Sequence, residues 1–217
     1  MVHALPDTHP QPTPSLCLMR VVLDWDGTVT ERDTLHMAIE RFGDLDVFRQ
    51  METRIGRELT LNEVIGIEMA TISAPFAEVL AWLLETVTVR PGLAELVAAY
   101  DPLIVSAGFR ELIEPVLERE GVAAVVVANR LEPGPHGWRA VFLERDECEV
   151  CGEPCKRAAL AGAGPYAYVG DGISDRCVSL TAERLFARDG LARWLDERGT
   201  AYEAFDDLHD VRLALDG

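Results

Sequence analysis

From Arg20 the chain runs Val21-Val22-Leu23-Asp24, a β-branched apolar run with no helical period. That pattern predicts a short buried strand ending in a charged residue. Comparable runs recur at Leu103–Ser106, Val125–Ala128, Tyr166–Gly170 and Leu185–Ala187. Between most of them the apolar spacing turns helical, over roughly 92–100, 110–120, 155–163, 174–182 and 190–198. A last pair, Tyr202–Phe205 then 206–215, continues the alternation. Strand and helix in alternation predict an α/β fold with a parallel sheet covered on both faces.

Two stretches depart from this rhythm. Residues 32–88 contain no strand pattern but several helical ones, such as Leu61, Val64, Ile65, Glu68 and Met69, then Phe76, Val79, Leu80, Leu83 and Leu84. They predict a small helical bundle inserted after the first strand. Residues 129–143 hold Pro133-Gly134-Pro135 and Gly137 between two apolar runs, the signature of a β-hairpin. Residues 1–18, with Pro6, Pro10, Pro12 and Pro14, read as a flexible tail without a signal peptide, and Met19 as the biological start. The expected organisation is a tail at 1–18, a core at 19–31 and 89–217, and a helical insert at 32–88.

Composition narrows the partners. With 20 Lys+Arg against 37 Asp+Glu among 217 residues, the formal net charge is −17. Such a surface repels polyanions, so nucleic acid is not an expected partner. No run approaches the roughly 18 apolar residues of a membrane span. An odd count of five cysteines does not resemble a disulfide scaffold. A cytoplasmic protein, monomeric or homodimeric, is expected.

Ligands of open α/β sheets bind beyond the carboxyl ends of the strands. There the first strand delivers Asp24-Trp25-Asp26-Gly27-Thr28, the second Ser106-Ala107-Gly108, and a later one Gly170-Asp171-Gly172-Ile173-Ser174-Asp175. Carboxylates gathered at one rim call for a cation, and hard oxygen donors without histidine point to Mg2+. Asp24 and Asp26 suit paired roles, one attacking and the other moving a proton. Ser106, the backbone N–H groups after it and a lysine would hold phosphate oxygens. Each piece alone is an ordinary loop; Trp25 is expected to pack on the core side. Their conjunction, in order and each at a strand end, is the signal.

These residues resemble the haloacid dehalogenase superfamily in its phosphatase branch. Its four motifs are matched by Asp24–Thr30, Leu103–Ser106, Lys156 at a helix start, and Val169–Asp175. The resemblance implies a Rossmann-like core, an inserted α-helical cap and Mg2+-dependent phosphoryl transfer to a small phosphorylated metabolite. It implies Asp24 as nucleophile and Asp26 as general acid/base. Mg2+ would be held by Asp24, the carbonyl of Asp26 and Asp171, with Asp175 behind them. Ser106, Ala107, Gly108 and Lys156 would take the phosphate. An acid at position 26 separates a phosphatase from a dehalogenase, which needs no leaving-group acid there.

Glu31 and Asp33, close behind the first motif, and Met51, Arg54 and Arg57 in the insert are candidates to meet the substrate, Arg54 and Arg57 sharing a face if helical. Asp33 reads equally as a helix N-cap. Two subfamilies compete: enzymes of phosphoserine, and enzymes of the methionine-salvage intermediate 2-hydroxy-3-keto-5-methylthiopentenyl-1-phosphate. The second is closer, through Asp24–Asp33, Cys148–Lys156, Leu185–Asp189 and Phe205–Leu208. A non-catalytic phosphate-binding protein and a phosphotransferase are the rival classes. Cys148-x2-Cys151-x3-Cys155, with Cys177 further on, reads either as part of a structural zinc site or as reduced thiols in a loop.

Overall fold

The structure, a computed structural model, describes residues 19–144 and 146–217; the tail at 1–18 lies outside the described residues. The chain opens with β1 (Arg20–Leu23), then α1 (Thr34–Phe42), α2 (Leu45–Glu52), α3 (Leu61–Met69) and α4 (Phe76–Thr86). It continues through α5 (Leu93–Tyr100), β2 (Leu103–Phe109), α6 (Arg110–Arg119) and the hairpin of β3 (Val125–Glu132) and β4 (Arg139–Val141). After α7 (Lys156–Ala159) come β5 (Tyr166–Gly170), a 3-10 turn (Ile173–Asp175), α8 (Arg176–Ser179) and β6 (Arg184–Ala187). The chain then adds α9 (Asp189–Asp196), β7 (Glu203–Ala204) and α10 (Leu208–Asp216).

Seven strands form one sheet in the order β4-β3-β2-β1-β5-β6-β7. All neighbours are parallel except the β3–β4 hairpin. Period-2 alternation splits the apolar side chains between two faces. Val21, Leu23, Ile104, Ala167 and Val169 join the larger core with α5, α6 and α10. Val22, Val105, Tyr166 and Tyr168 pack on the other face under Val178, Leu191 and Leu195. The result is the three-layer α/β arrangement expected from the sequence.

Helices α1–α4 leave the sheet after Thr30 and return at Val89, where those two residues form an antiparallel bridge. Glu31 N–H donates to Thr88 O at 3.0 Å and Arg90 N–H to Val29 O at 2.8 Å. Side chains start these helices: Asp33 caps α1, Asp44 caps α2, and Thr60 with Glu63 forms a capping box on α3. Trp138, buried in the hairpin, donates from Nε1 to Ala74 O at 3.0 Å and from its N–H to Met69 O at 3.2 Å. The hairpin is thereby tied to the α3–α4 connection.

Two helices are shorter than the periodicity predicts. The stretch 155–163 is helical only over Lys156–Ala159, because Gly162 and Gly164 take positive φ (77° and 75°) ahead of Pro165. The stretch 174–182 becomes a 3-10 turn and one turn of α8. There Ser179 and Thr181 hydroxyls donate to the carbonyls of Arg176 and Val178. Conversely β2 runs past Ser106 to Phe109 through a register shift against β3. No helix among the described residues is long and apolar enough to cross a membrane.

Candidate active site

β1 stands mid-sheet with β2 on one side and β5 on the other, so the strand order reverses there and a crevice opens beyond the carboxyl ends. Asp24 is the first residue past β1, its N–H donating to Val169 O at 2.9 Å. Its Oδ1 accepts from Trp25 N–H at 2.6 Å and lies 2.5 Å from Lys156 Nζ. Lys156 heads α7, is only 2% exposed, and also donates to Asp175 Oδ1 at 2.7 Å. Asp175 further accepts from Tyr168 Oη at 2.6 Å and from the N–H groups of Asp171 and Gly172 at 2.9 Å each.

Asp24, Asp171 and Asp175 each bring an oxygen within 4.8 Å of the others. Burial, with the charge of Asp175, pushes Asp24 well above the ordinary carboxylate range against the pull of Lys156. Burial and Asp175 likewise push Asp171 up to about 7. Burial would raise Asp175 as well, but Lys156 and the Gly172 backbone N–H hold it below its ordinary value. Lys156 stays cationic because Asp175 and Asp24 outweigh its desolvation. One ammonium thus serves two carboxylates, and Asp171 is left with the Thr28 hydroxyl at 2.9 Å. Excess negative charge on hard oxygen donors is the donor chemistry that Mg2+ takes. Gly27, at φ 77°, is needed here: a Cβ would run into the Asp171 carboxylate.

Asp26 points elsewhere. Its Oδ1 accepts from Thr34 N–H at 2.8 Å and Thr34 Oγ1 at 2.5 Å. Burial, then the charge of Asp33, pushes it up to about 7. Ser106 faces it across Gly108, whose N–H donates to Ser106 Oγ at 2.8 Å. A Cβ on Gly108 would stand 2.8 Å from Asp26 Oδ2 and 3.1 Å from Ser106 Oγ. Asn129 Nδ2 fixes the Ala107 carbonyl at 2.7 Å. The buried Arg90 donates to the carbonyls of Gly27 and Thr28 at 3.0 Å each, bracing the loop after β1. Trp25 is wholly in the core.

A cavity of about 210 Å3 lies over this cluster, with Asp24, Asp26, Ser106 and Asp171 at its base. The insert supplies its other wall: apolar Leu35, Ile39, Phe48, Leu61 and Ile65, and polar Asp33, His36, Glu52 and Glu68. A second cavity of about 410 Å3 adjoins it, sharing Leu61, Ala107, Ile173 and Ser174 and reaching Arg57, Lys156 and Cys155. A third cavity, about 930 Å3, opens behind Cys148 and Tyr166 and touches none of the site carboxylates.

The insert candidates separate accordingly. Asp33 both caps α1, accepting from His36 N–H at 2.9 Å, and lines the smaller cavity. Arg57 lines the larger of the two adjoining cavities. Glu31 is exposed and lines neither cavity, Arg54 lies at the surface 3.7 Å from Glu58, and Met51 is buried. Residues 54–57 share no helix face. They form a turn in which Arg54 O accepts from Arg57, Glu58 and Leu59, and Gly56 takes φ 68°.

A sequence profile of the haloacid dehalogenase-like hydrolases matches residues 21–179, a span that contains every one of these carboxylates, Ser106 and Lys156. The chain belongs to that family. It is an enzyme, a hydrolase. A relative from Microcystis aeruginosa named 2-hydroxy-3-keto-5-methylthiopentenyl-1-phosphate phosphatase is 29% identical over 205 residues, covering 90% of this chain and 96% of its own. One of the same name from Bacillus cereus is 23% identical over 211 residues, covering 91% and 95%. Among solved structures, a substrate-bound phosphoserine phosphatase complex aligns with TM-score 0.68 at 16% identity over 90% of this chain and 98% of that one. Phosphoserine phosphatase from T. onnurineus gives 0.67 at 18%, over 94% and 96%. At those identities the structural likeness speaks for the fold alone.

In this hydrolase several residues around the site stand outside the four motifs. Thr34, Arg90, Asn129 and Tyr168 hold Asp26, the loop after β1, Ala107 and Asp175 by the hydrogen bonds above. Glu68 is the least expected. It occupies a place in the apolar repeat of α3, is 4% exposed, and its Oε1 has no hydrogen-bond partner among the described residues. Burial, then Glu52 and Asp33, push its carboxyl up to about 8. A glutamate on the apolar stripe of a helix was the only sign of it in the sequence.

Proposed function

We propose that the chain is a Mg2+-dependent phosphatase that hydrolyses a small phosphorylated metabolite through an aspartyl-phosphate on Asp24. The observation that carries this reading is Lys156 bridging Asp24 and Asp175 while Thr34 holds Asp26 apart from them. Asp24 commits Oδ1 to Trp25 and Lys156, so Oδ2 is the oxygen left to attack phosphorus. Asp26, beside Gly108, protonates the leaving oxygen and then takes a proton from the attacking water. Ser106 Oγ and Lys156 Nζ take the phosphoryl oxygens and offset their charge. Mg2+ would be held by Asp24, the carbonyl of Asp26 and Asp171, supplying positive charge beside the transferred group. Asp175 keeps Lys156 and the Asp171 backbone in register.

Residues 32–88 act in this reading as a cap domain over a core of 19–31 and 89–217, excluding water and choosing the substrate. The wall they present supports a substrate like that named for the relatives. Leu35, Ile39, Phe48, Leu61 and Ile65 suit an apolar methylthio tail, and among the described residues neither Arg nor Lys lines the 210 Å3 cavity to meet a carboxylate. The second reading, a phosphoserine-type substrate, draws on Asp33, with Glu52 and Glu68, as partners for an ammonium group, and on Arg57 for the carboxylate. A cytoplasmic setting, where thiols stay reduced, accompanies either. A panel of phosphorylated metabolites assayed with Mg2+ decides between them: kcat/KM is expected to be highest for the methylthiopentenyl phosphate. Preference for phosphoserine would favour the second reading, and no hydrolysis of any phosphomonoester would refute both.

A further inference from the structure

The four cysteines of the described residues converge behind Lys156. Cys148 and Cys151 lie in the segment between β4 and α7, Cys155 immediately precedes Lys156, and Cys177 stands in α8, two residues past Asp175. All four are free thiols. Each sulfur lies within 4.8 Å of the other three, and Cys148 Sγ and Cys177 Sγ are 3.6 Å apart. Sulfurs at about 2.3 Å from a tetrahedral Zn2+ stand roughly 3.8 Å from one another. A disulfide would bring a pair to about 2.05 Å.

The backbone around them is that of a ligating turn. In Cys148-Glu149-Val150-Cys151-Gly152 the N–H of Gly152 donates to Cys148 O at 2.8 Å, and that of Cys148 to Glu153 O at 3.0 Å. Gly152, at φ 71°, lets the chain fold back with nothing near its missing Cβ. No helix or strand runs from Phe142 to Cys155 among the described residues, so something other than secondary structure must hold this approach to Lys156.

We propose that Cys148, Cys151, Cys155 and Cys177 form a tetrathiolate site for one Zn2+ ion, which staples the segment before Lys156 to the helix after Asp175. Three of the ligands come from one short stretch and the fourth from beyond β5, so the ion ties together the two places where the Lys156–Asp175 pair originates. The site is separate in chemistry from the carboxylates: soft sulfur selects zinc, hard oxygen Mg2+. Binding releases the thiol protons and contributes its free energy to folding of the segment.

Metal analysis and X-ray absorption of the full chain, purified without chelator and then dialysed against zinc-free buffer, test this. About one Zn2+ per chain with four sulfur neighbours near 2.3 Å is expected. Zinc below about 0.2 per chain, an oxygen- or nitrogen-rich shell, or a Cys148–Cys177 disulfide found by mass spectrometry would each overturn it. Cys177→Ser is expected to lose the ion. Should that variant fail to fold, titrating the wild-type chain with a mercurial reagent gives the same answer. One zinc released as four thiols react supports the site, whereas four thiols reacting with no zinc released refutes it.

Discussion

Lys156 Nζ lies 2.5 Å from Asp24 Oδ1 with both side chains almost wholly removed from solvent. A charge in such a place is tolerable only because its partners are there. Replacing it with methionine leaves Asp24 and Asp175 buried without a cation. Removing one member of a buried pair costs about 3–5 kcal/mol. Lys156→Met should therefore lower the denaturation midpoint sharply, as read by thermal and urea unfolding, and should abolish phosphatase activity. A variant as stable as the parent would show that the pair does not hold the site together.

Gly108 separates Asp26 from Ser106 by the width of a missing methyl group. In Gly108→Ala the new Cβ would stand 2.8 Å from Asp26 Oδ2 and 3.1 Å from Ser106 Oγ, so both must shift. A displacement of this size at reacting groups costs about 10²-fold. The expected result is a fall in kcat of that order with little change in the melting temperature. Unchanged kcat would remove Asp26 and Ser106 from the reaction.

Glu68 should make stability depend on pH. Its carboxyl titrates near 4.5 in an unfolded chain and about 8 in the folded one. Between those values the folded protein keeps a proton that the unfolded chain gives up. Stability therefore falls as pH rises through that window, and the loss is complete above it. Glu68→Gln should remove this component: equal to the parent near pH 5, and more stable by up to a few kcal/mol near pH 9. Parallel melting curves for the two proteins across that range would contradict the assignment.

Chelation distinguishes the carboxylate cluster from the thiols. Excess EDTA should silence hydrolysis of p-nitrophenyl phosphate, and Mg2+ alone should restore it while raising the melting temperature by mass action. Activity that persists in chelator would end the Mg2+ reading.

How much of this was legible beforehand follows from sequence distance. Asp24, Ser106 and Asp171 were legible as neighbours because parallel strands deliver their carboxyl ends to one rim, and all three stand at strand ends. The hairpin at 129–143 was legible from its Pro-Gly-Pro and Gly137. Helix ends were not: Gly162 and Gly164 cut one short, and hydroxyl-to-carbonyl bonds from Ser179 and Thr181 interrupt another. The 54–57 stretch carries helical spacing, yet Gly56 turns it. Glu68 and Cys177 were visible as letters only. A glutamate on an apolar stripe becomes informative once the opposing wall supplies no donor, and Cys177 joins the other three thiols only through the packing of α8 beside α7.

Asp24 is the proposed acceptor of the phosphoryl group. Turnover of p-nitrophenyl phosphate by Asp24→Asn, with folding checked by circular dichroism, tests it most directly. A native spectrum with activity reduced about 10³-fold or more is expected. Wild-type-like turnover in that variant would contradict it.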